Sequence, residues 1–369
     1  MGLYLDYNAS APMIKISIAA MIESMNVIGN PSSIHTSGRN AKAVIEDSRE
    51  LVASIVGSLP KNIIFTSGAT ESNALAFKFA KNMKVVTSAI EHESILKQKN
   101  DSIIATVLSD GLVDLEYLEK ILLNKKDEIL FVSIMAVNNE TGIIQPIKEI
   151  SKICQKYNAI FHVDAVQAIG RIKMHMRELN IDLMTISSHK IGGPKGIGCL
   201  AVNDRVYSDL TPMIKGGGQE RGIRAGTEAV SQIAGFGAAA RYAHDMRLSE
   251  TKNSRDYLEK KVLELIPNAE IIGANSPRVD NTTAIAFKNI KAENLVIALD
   301  IEGYEVSSGS ACSSGKVSKS HVLVAMGLDK SIVMSSIRIS LCRTLYKNEI
   351  LLFCKTLSQI VQKLLKNEK

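Results

Sequence analysis

No apolar run in this 369-residue chain approaches the roughly 18–20 residues that a membrane-spanning helix needs, so a helical membrane protein is excluded. The first residues, Met1-Gly2-Leu3-Tyr4-Leu5-Asp6, have neither a basic stretch nor an apolar one, and no signal peptide is expected. Cysteine is scarce. Five residues, at 154, 199, 312, 342 and 354, form neither a disulfide framework nor a zinc motif, which suits a reducing cytoplasm. Charge of one sign is not in excess: 44 basic against 38 acidic residues leave a net +6, too mild at this length to indicate nucleic acid. There are no internal repeats, no low-complexity tracts and no G-x-x-x-x-G-K-[ST] phosphate loop.

What is present is ordinary for a soluble globular protein, with 46% hydrophobic and 22% charged residues. The length allows a large core and, at roughly 150 residues per domain, two to three domains. Short β-branched runs alternate with helical patterns. Ala41, Val44, Ile45, Leu51, Val52 and Ile55 share a helix face, Ile63 to Thr66 reads as a buried strand, and a helix starts near Thr70. Further strands are predicted at 85–87, 129–133, 160–163, 183–186 and 283–287, with a helix from Ile147 to Tyr157 between two of them. This alternation predicts an α/β fold with a mostly parallel sheet covered on both faces. One long helix is expected over 228–266, bridging a large domain to a smaller C-terminal one. A last helix is expected from Asn348 as N-cap, with an apolar stripe from Ile350 to Leu364.

Ligands of open α/β sheets collect at the carboxyl ends of the strands. Four predicted strand ends carry unusual polar residues. Thr66 to Asn73 runs from a strand through small residues into a helix, which makes either a phosphate site or an ordinary capping box. Asp164 ends an apolar strand, where it can serve as a metal ligand, a cap or the partner of a cationic nitrogen. Lys190 follows Ser187, Ser188 and His189, a setting that suits a Schiff-base lysine or a solvated loop. Asn138-Asn139-Glu140 places two amides and an acid at another end. Together these point to pyridoxal 5'-phosphate, which needs a phosphate cradle, a lysine and an acid for its ring nitrogen.

The ordered set Tyr4–Asn8, Gly29–His35, Ser67–Asn73, Glu91-His92, Asn138–Gly142, His162–Gln167, Ser188–Lys190, Gly216–Arg221 and Ser308–Cys312 resembles the cysteine desulfurases of the NifS/IscS type. These belong to the class-V aminotransferase group with the aspartate-aminotransferase fold, and the match spans nearly the whole chain. The resemblance implies a large cofactor-binding domain over 13–250, with a mostly parallel seven-stranded sheet. It implies a smaller α+β domain from 1–12 and 251–369 carrying a mobile cysteine loop. It further implies that Lys190 holds the cofactor, Asp164 pairs with its pyridinium nitrogen, Gln167 bonds its phenolic oxygen and His92 stacks on its ring. Ala69, Thr70, Ser187 and His189 would bind its phosphate, joined by Thr227 from the partner subunit of a homodimer. Asn139 and Arg338 would hold the substrate carboxylate, a task for which a planar guanidinium fork is suited.

Cys312 stands apart from the other cysteines. Serine, glycine and alanine make up almost all of 307–315, so this segment is expected to bury little and to expose its thiol. The other four sit in apolar patterns that favour packing. The reaction implied is removal of sulfur from L-cysteine, giving L-alanine and a persulfide on Cys312 that passes to an acceptor protein such as an iron–sulfur scaffold or a transfer-RNA thiolation partner. A selenocysteine lyase and a class-V aminotransferase are the alternatives. The aminotransferase has no use for a nucleophilic cysteine. Gly192, where many relatives carry an aromatic residue, and the turn at Asn8 to Pro12 depart from the family pattern, at positions to which no chemistry is assigned.

Overall fold

A computed structural model describes residues 2–245, 251–309, 319–342 and 344–367. Its centre is a seven-stranded sheet of β1 (Ile63–Thr66), β2 (Lys84–Ser88), β3 (Ile103–Ala105), β4 (Leu130–Met135), β5 (Ile160–Asp164), β6 (Leu183–Ser187) and β7 (Gly198–Val202). The spatial order is β1-β7-β6-β5-β4-β2-β3. β7 alone runs opposite to the other six strands. Strands β1 to β6 therefore all end on one edge of the sheet, and the start of β7 joins them there. The central strands are apolar on both faces because both are covered. Val132, Phe161, Val163 and Met184 are buried in one cluster, Ile64, Phe131, Leu183 and Leu200 in another. Each such side chain contributes roughly 1.5–3 kcal/mol through burial.

Helix α1 (Lys15–Ser24) and helix α2 (Thr36–Val56) pack on the sheet domain; α2 opens on His35, whose Nδ1 accepts the Gly38 N–H, and closes on Gly57. Helix α3 (Ala69–Phe79) follows β1 directly, and α4 (Ile147–Lys156) precedes β5. The expected helix over 228–266 is described as two, α5 (Val230–Asp245) and α6 (Lys252–Leu265). Residues 246–250 between them lie outside the described residues, and the two parts bury different surfaces: Ile233, Phe236 and Ala240 face the core of the large sheet, whereas Leu258 and Val262 face a second core. A proline-free helical pattern carries no mark of that change of partner.

The second core lies under a four-stranded antiparallel sheet of β8 (Ala269–Ile271), β9 (Thr282–Phe287), β10 (Ser307–Ser308) and β11 (Ser336–Ser340), in the order β10-β11-β9-β8. The N-terminal segment belongs to this side. Leu3 and Tyr4 pair in parallel with Tyr304 and Glu305, and Asp6 bridges Ser340. After the short helix α7 (His321–Ala325) and strand β11, helix α8 (Lys347–Asn367) packs on α6. Asn348 is not its N-cap but sits inside its first turn. Tyr346 caps instead, its N–H donated to the Glu349 carboxylate at 2.8 Å, half of a capping box. Among the described residues no helix is long and apolar enough to cross a membrane.

Candidate functional site

A cavity of about 610 Å³ opens at the strand-end edge, where the N-terminal segment and β11 close it from the smaller domain. Every predicted site residue lines it except Thr227 and Cys312. Thr227 is exposed outside it, and Cys312 lies outside the described residues. The strand register explains the convergence. Met135 pairs with Asp164, Asp164 with Thr185, Ser187 with Gly198 and Thr66 with Gly198, so residues far apart in the chain end on one level.

At one side is the start of α3. Its N-cap is Gly68, at φ +153°, a backbone state that suits glycine, and it supplies no capping side chain. The capping-box alternative is therefore not what forms here, although the Ser67 N–H does donate to Glu71 at 2.7 Å. The first-turn N–H groups of α3 have no intrahelical acceptors and face the cavity at Ala69 and Thr70, a place for an anion. Glu71 also takes the Arg224 guanidinium at 2.9 Å, which ties the segment leading to Thr227 to this helix start. That charge-assisted contact and the Ser67 donors hold its carboxyl below the usual range against its partial burial.

Asp164 is buried at the end of β5. One oxygen accepts the Val166 N–H and the other the Asn73 side-chain N–H, both at 3.0 Å. Asn73 spends its second N–H on Ser94 Oγ at 2.9 Å. Ser94 Oγ lies 2.8 Å from His92 Nδ1, which also accepts the Ser94 backbone N–H. That nitrogen accepts, so the imidazole proton is on Nε2. A relay of amide and hydroxyl thus joins the acid to the imidazole. Asn73 and Ser94 were not predicted as site residues. Asn73 is one helical turn beyond Ala69, a spacing that places both on one face of α3.

Lys190 Nζ donates to the carbonyls of Asn8, at 2.6 Å, and Ala9, at 2.8 Å. Lys195, the other lysine of this loop, is exposed at the rim. Gln167 donates to the same Asn8 carbonyl at 3.0 Å and accepts from Arg171. Burial, with Lys190 and Lys195 close by, pushes His189 down to about 4, so its ring is neutral near pH 7. Arg338, nearly fully buried on β11, donates to the Asn139 carbonyl at 2.9 Å and to Asp6 at 2.6 Å. Its Nε has no hydrogen-bond partner among the described residues.

Asn8 stands at the centre of this arrangement, in the turn to which the sequence reading assigned no chemistry. Its side chain reaches the Asn139 carbonyl and Thr282, its backbone N–H donates to Ser340, and its carbonyl serves Lys190 and Gln167. It therefore links the small sheet to the lysine. The signal was available: a short amide immediately after a strand that starts the chain.

The donor set fits a phosphorylated heteroaromatic cation. There are free helix-start N–H groups for the phosphate, a buried carboxylate held only by N–H donors for a ring N–H⁺, and a lysine on movable carbonyl contacts. These are the groups that pyridoxal phosphate requires.

Glu91 lies behind the site, fully buried, accepting the Ser88 hydroxyl at 2.5 Å and the Met135 N–H at 2.9 Å. Burial and the nearby Asp164 charge push it up to about 8. A raised carboxyl stabilises the fold fully below its unfolded value near 4.5 and loses that contribution as pH rises through about 8. Over that window the fold should weaken by about 1.4 kcal/mol per pH unit on this account alone. Glu91→Gln, which cannot ionise, should show a shallower fall in Tm across the window and exceed the parent above it. Parallel Tm–pH curves would exclude Glu91 as the titrating group.

Comparison with known proteins places these features in one family. The model of the class-V aminotransferases matches residues 3–353. The chain is 39% identical to a cysteine desulfurase IscS of Dictyoglomus turgidum, over 98% of this chain and 95% of the relative. A solved NifS-like protein from Rickettsia africae superposes with a TM-score of 0.91 at 39% identity, covering 98% of this chain and 100% of the other. A structure described as SspA in complex with cysteine covers 93% of this chain and 99% of its own, with a TM-score of 0.80 and 31% identity.

Proposed function

Because the chain belongs to the class-V aminotransferases and, within them, to the cysteine desulfurases of the NifS/IscS type, we propose that Lys190, Asp164, Arg338 and Cys312 carry the separate tasks of that reaction in this member. It is a pyridoxal-phosphate enzyme that takes sulfur from L-cysteine. The observation that carries the assignment is the convergence of Lys190, Asp164 and Arg338 on one cavity at the strand ends.

When bound, pyridoxal phosphate supplies an electron sink for the α-carbon of an amino acid. Lys190 is the residue that would hold it, with the α3 start, Ser187 and His189 at its phosphate, Asp164 at its ring nitrogen, Gln167 at its phenolic oxygen and His92 at its ring. Arg338 and Asn139 bind and orient the cysteine carboxylate. The Lys190 amine, released from its carbonyl contacts, takes the α-proton at Nζ. The Cys312 thiolate forms the new S–S bond as the carbon–sulfur bond of the substrate breaks. The proton taken from the α-carbon and the one carried in by the substrate thiol return to the α- and β-carbons to complete L-alanine, and the persulfide on Cys312 passes to a thiol of an acceptor protein, such as an iron–sulfur scaffold. The solved relative bound to cysteine supports the substrate assignment.

Arg338→Lys tests the substrate half of this reading. Lysine keeps the charge and loses the planar fork, so the half-saturating cysteine concentration should rise about tenfold, the worth of one hydrogen bond to a charged group. The spectrum of the bound cofactor should not change. An unaltered half-saturating concentration would move the carboxylate contact to another residue.

The working unit is proposed to be a homodimer in which Thr227 reaches the partner's phosphate site. Its exposure away from its own cavity supports this, as do Ile22, Met25, Ile28 and Ile34, whose exposures of 59, 63, 91 and 91% leave apolar surface for a second copy. A fully active monomer in light scattering would overturn it. The large domain is assigned to 13–250 and the small one to 1–12 and 251–369, in keeping with the different cores buried by α5 and α6. A cytoplasmic location accords with the free thiols of Cys154, Cys199 and Cys354.

A further inference from the structure

Glu140 is buried in the turn after β4, at 4% exposure. Its backbone is fixed from below: the Asn138 side-chain oxygen accepts the N–H groups of Glu140 and Thr141 at 2.9 and 3.0 Å, and the Asn138 amide donates to the Ile90 carbonyl. The carboxylate points away from that anchor, toward two residues far along the chain. Ser320 donates its hydroxyl to Glu140 Oε2 at 2.5 Å. Gly309 passes so close that a Cβ built on it would stand 2.8 Å from the same oxygen. The ionisable side chains that face Glu140 are Arg338 and the His92 imidazole.

Gly309 and Ser320 flank, in sequence, the residues that contain Cys312. The far side is fastened further. Ser320 caps α7 by accepting the Leu323 N–H, the His321 ring donates to the Glu91 carbonyl at 2.9 Å, and Val322 and Leu323 bury against Ile90 and Ile143. One carboxylate oxygen thus bonds the chain on the far side of the cysteine segment and fills the space beside Gly309 on the near side. Fold stability alone does not call for a carboxylate here. Burying an ionisable group is costly, and a neutral amide could accept the Ser320 hydroxyl equally well.

We propose that Glu140 is a positioning residue for sulfur transfer: by bonding Ser320 and filling the space beside Gly309 with one oxygen, it sets the span from which the Cys312 thiol reaches the substrate. This rests on the reading of Cys312 as the sulfur acceptor. Glu140 does not line the cavity assigned to the cofactor and the cysteine carboxylate, so its effect falls after substrate has bound.

The test uses the holoenzyme, with two readouts after mixing with L-cysteine: the change in cofactor absorbance, and the rate at which Cys312 gains a sulfur atom by quenched mass spectrometry. Glu140→Asp draws the carboxylate back by about 1.5 Å, one carbon–carbon bond, and keeps its charge. Gly309→Ala drives a methyl group into it. Each should slow persulfide formation by about tenfold or more, the rate equivalent of one hydrogen bond to a charged group. The absorbance change should stay within about twofold of the parent. Because the shortened side chain makes room for the methyl, the double variant should be no slower than the slower single one, a failure of additivity expected only of residues in contact. Parental persulfide rates in both single variants overturn the inference. So does an equal loss in both readouts, or a double variant with multiplied losses. Cys312→Ser run alongside separates the two ideas. If that variant still releases alanine and sulfide at the parental rate, the acceptor reading has failed, whereas an inactive Cys312→Ser beside parental Glu140 and Gly309 variants removes only the role of Glu140.

Discussion

Lys190→Ala is expected to abolish turnover of L-cysteine, with a loss on the order of 10⁴-fold or more once its proton-transfer role alone is counted. Two functions vanish with one amine: the covalent anchor of the cofactor and the base that moves the α-proton. The fold should survive. Two of the Nζ contacts are to main-chain carbonyls, and Gln167 continues to serve that of Asn8. The variant should therefore purify as a folded protein with a parental Tm in the absence of cofactor, yet fail to release alanine or sulfide. Borohydride treatment of the parent should fix the cofactor on a single peptide containing Lys190. The competing candidate is Lys195, also at the cavity but exposed on its rim. Cofactor fixed to Lys195, or a Lys190→Ala variant with measurable turnover, would overturn the assignment.

Most strands of the large sheet were legible because each is a short apolar run between turn residues, a pattern that needs no tertiary information, whereas β3, only three residues long, was not predicted. The antiparallel course of β7 was not, since direction within a sheet depends on the connection rather than on composition. The smaller sheet was harder still. Its β10 is two serines, and β11 alternates Ser336, Arg338 and Ser340 with Ile337 and Ile339, so polar residues occupy a strand whose burial is imposed by neighbours. The same contrast holds at the site. Residues inside recognisable motifs, such as Asp164 and Lys190, were found. Asn8, Asn73 and Ser94, which hold those residues in place, act through geometry that only the folded chain creates. Asn8 was visible as a departure from the family turn and was passed over because its own side chain carries no chemistry. Its function is to lend a carbonyl to the lysine.

Cys312→Ser separates a desulfurase from its nearest alternatives, and it should stop sulfur transfer completely while leaving substrate binding intact. Serine is nearly isosteric with cysteine, and the cofactor and carboxylate contacts belong to other residues. L-Cysteine should therefore still change the cofactor spectrum. The chemistry then fails for want of an acceptor: a thiol with an ordinary pKa of about 8.5 offers some thiolate at neutral pH, whereas a hydroxyl offers essentially no alkoxide and cannot carry sulfur as a persulfide. The remaining cysteines are poor substitutes. Cys154 and Cys199 are buried, and burial pushes both thiols far up; Cys354 is buried and raised to about 12. Thiols so placed do not ionise and do not meet a substrate. Cys342 is half-buried and is the one described cysteine with any opening to solvent. The measurement is alanine and sulfide release from L-cysteine with a thiol reductant, together with mass spectrometry of the protein for a bound sulfur atom. The parent should carry the sulfur on the Cys312 peptide and the variant should carry none. Parental product rates from the variant would mean that sulfur leaves without a Cys312 persulfide, and sulfur on the Cys342 peptide would reassign the acceptor to the smaller domain's other accessible thiol.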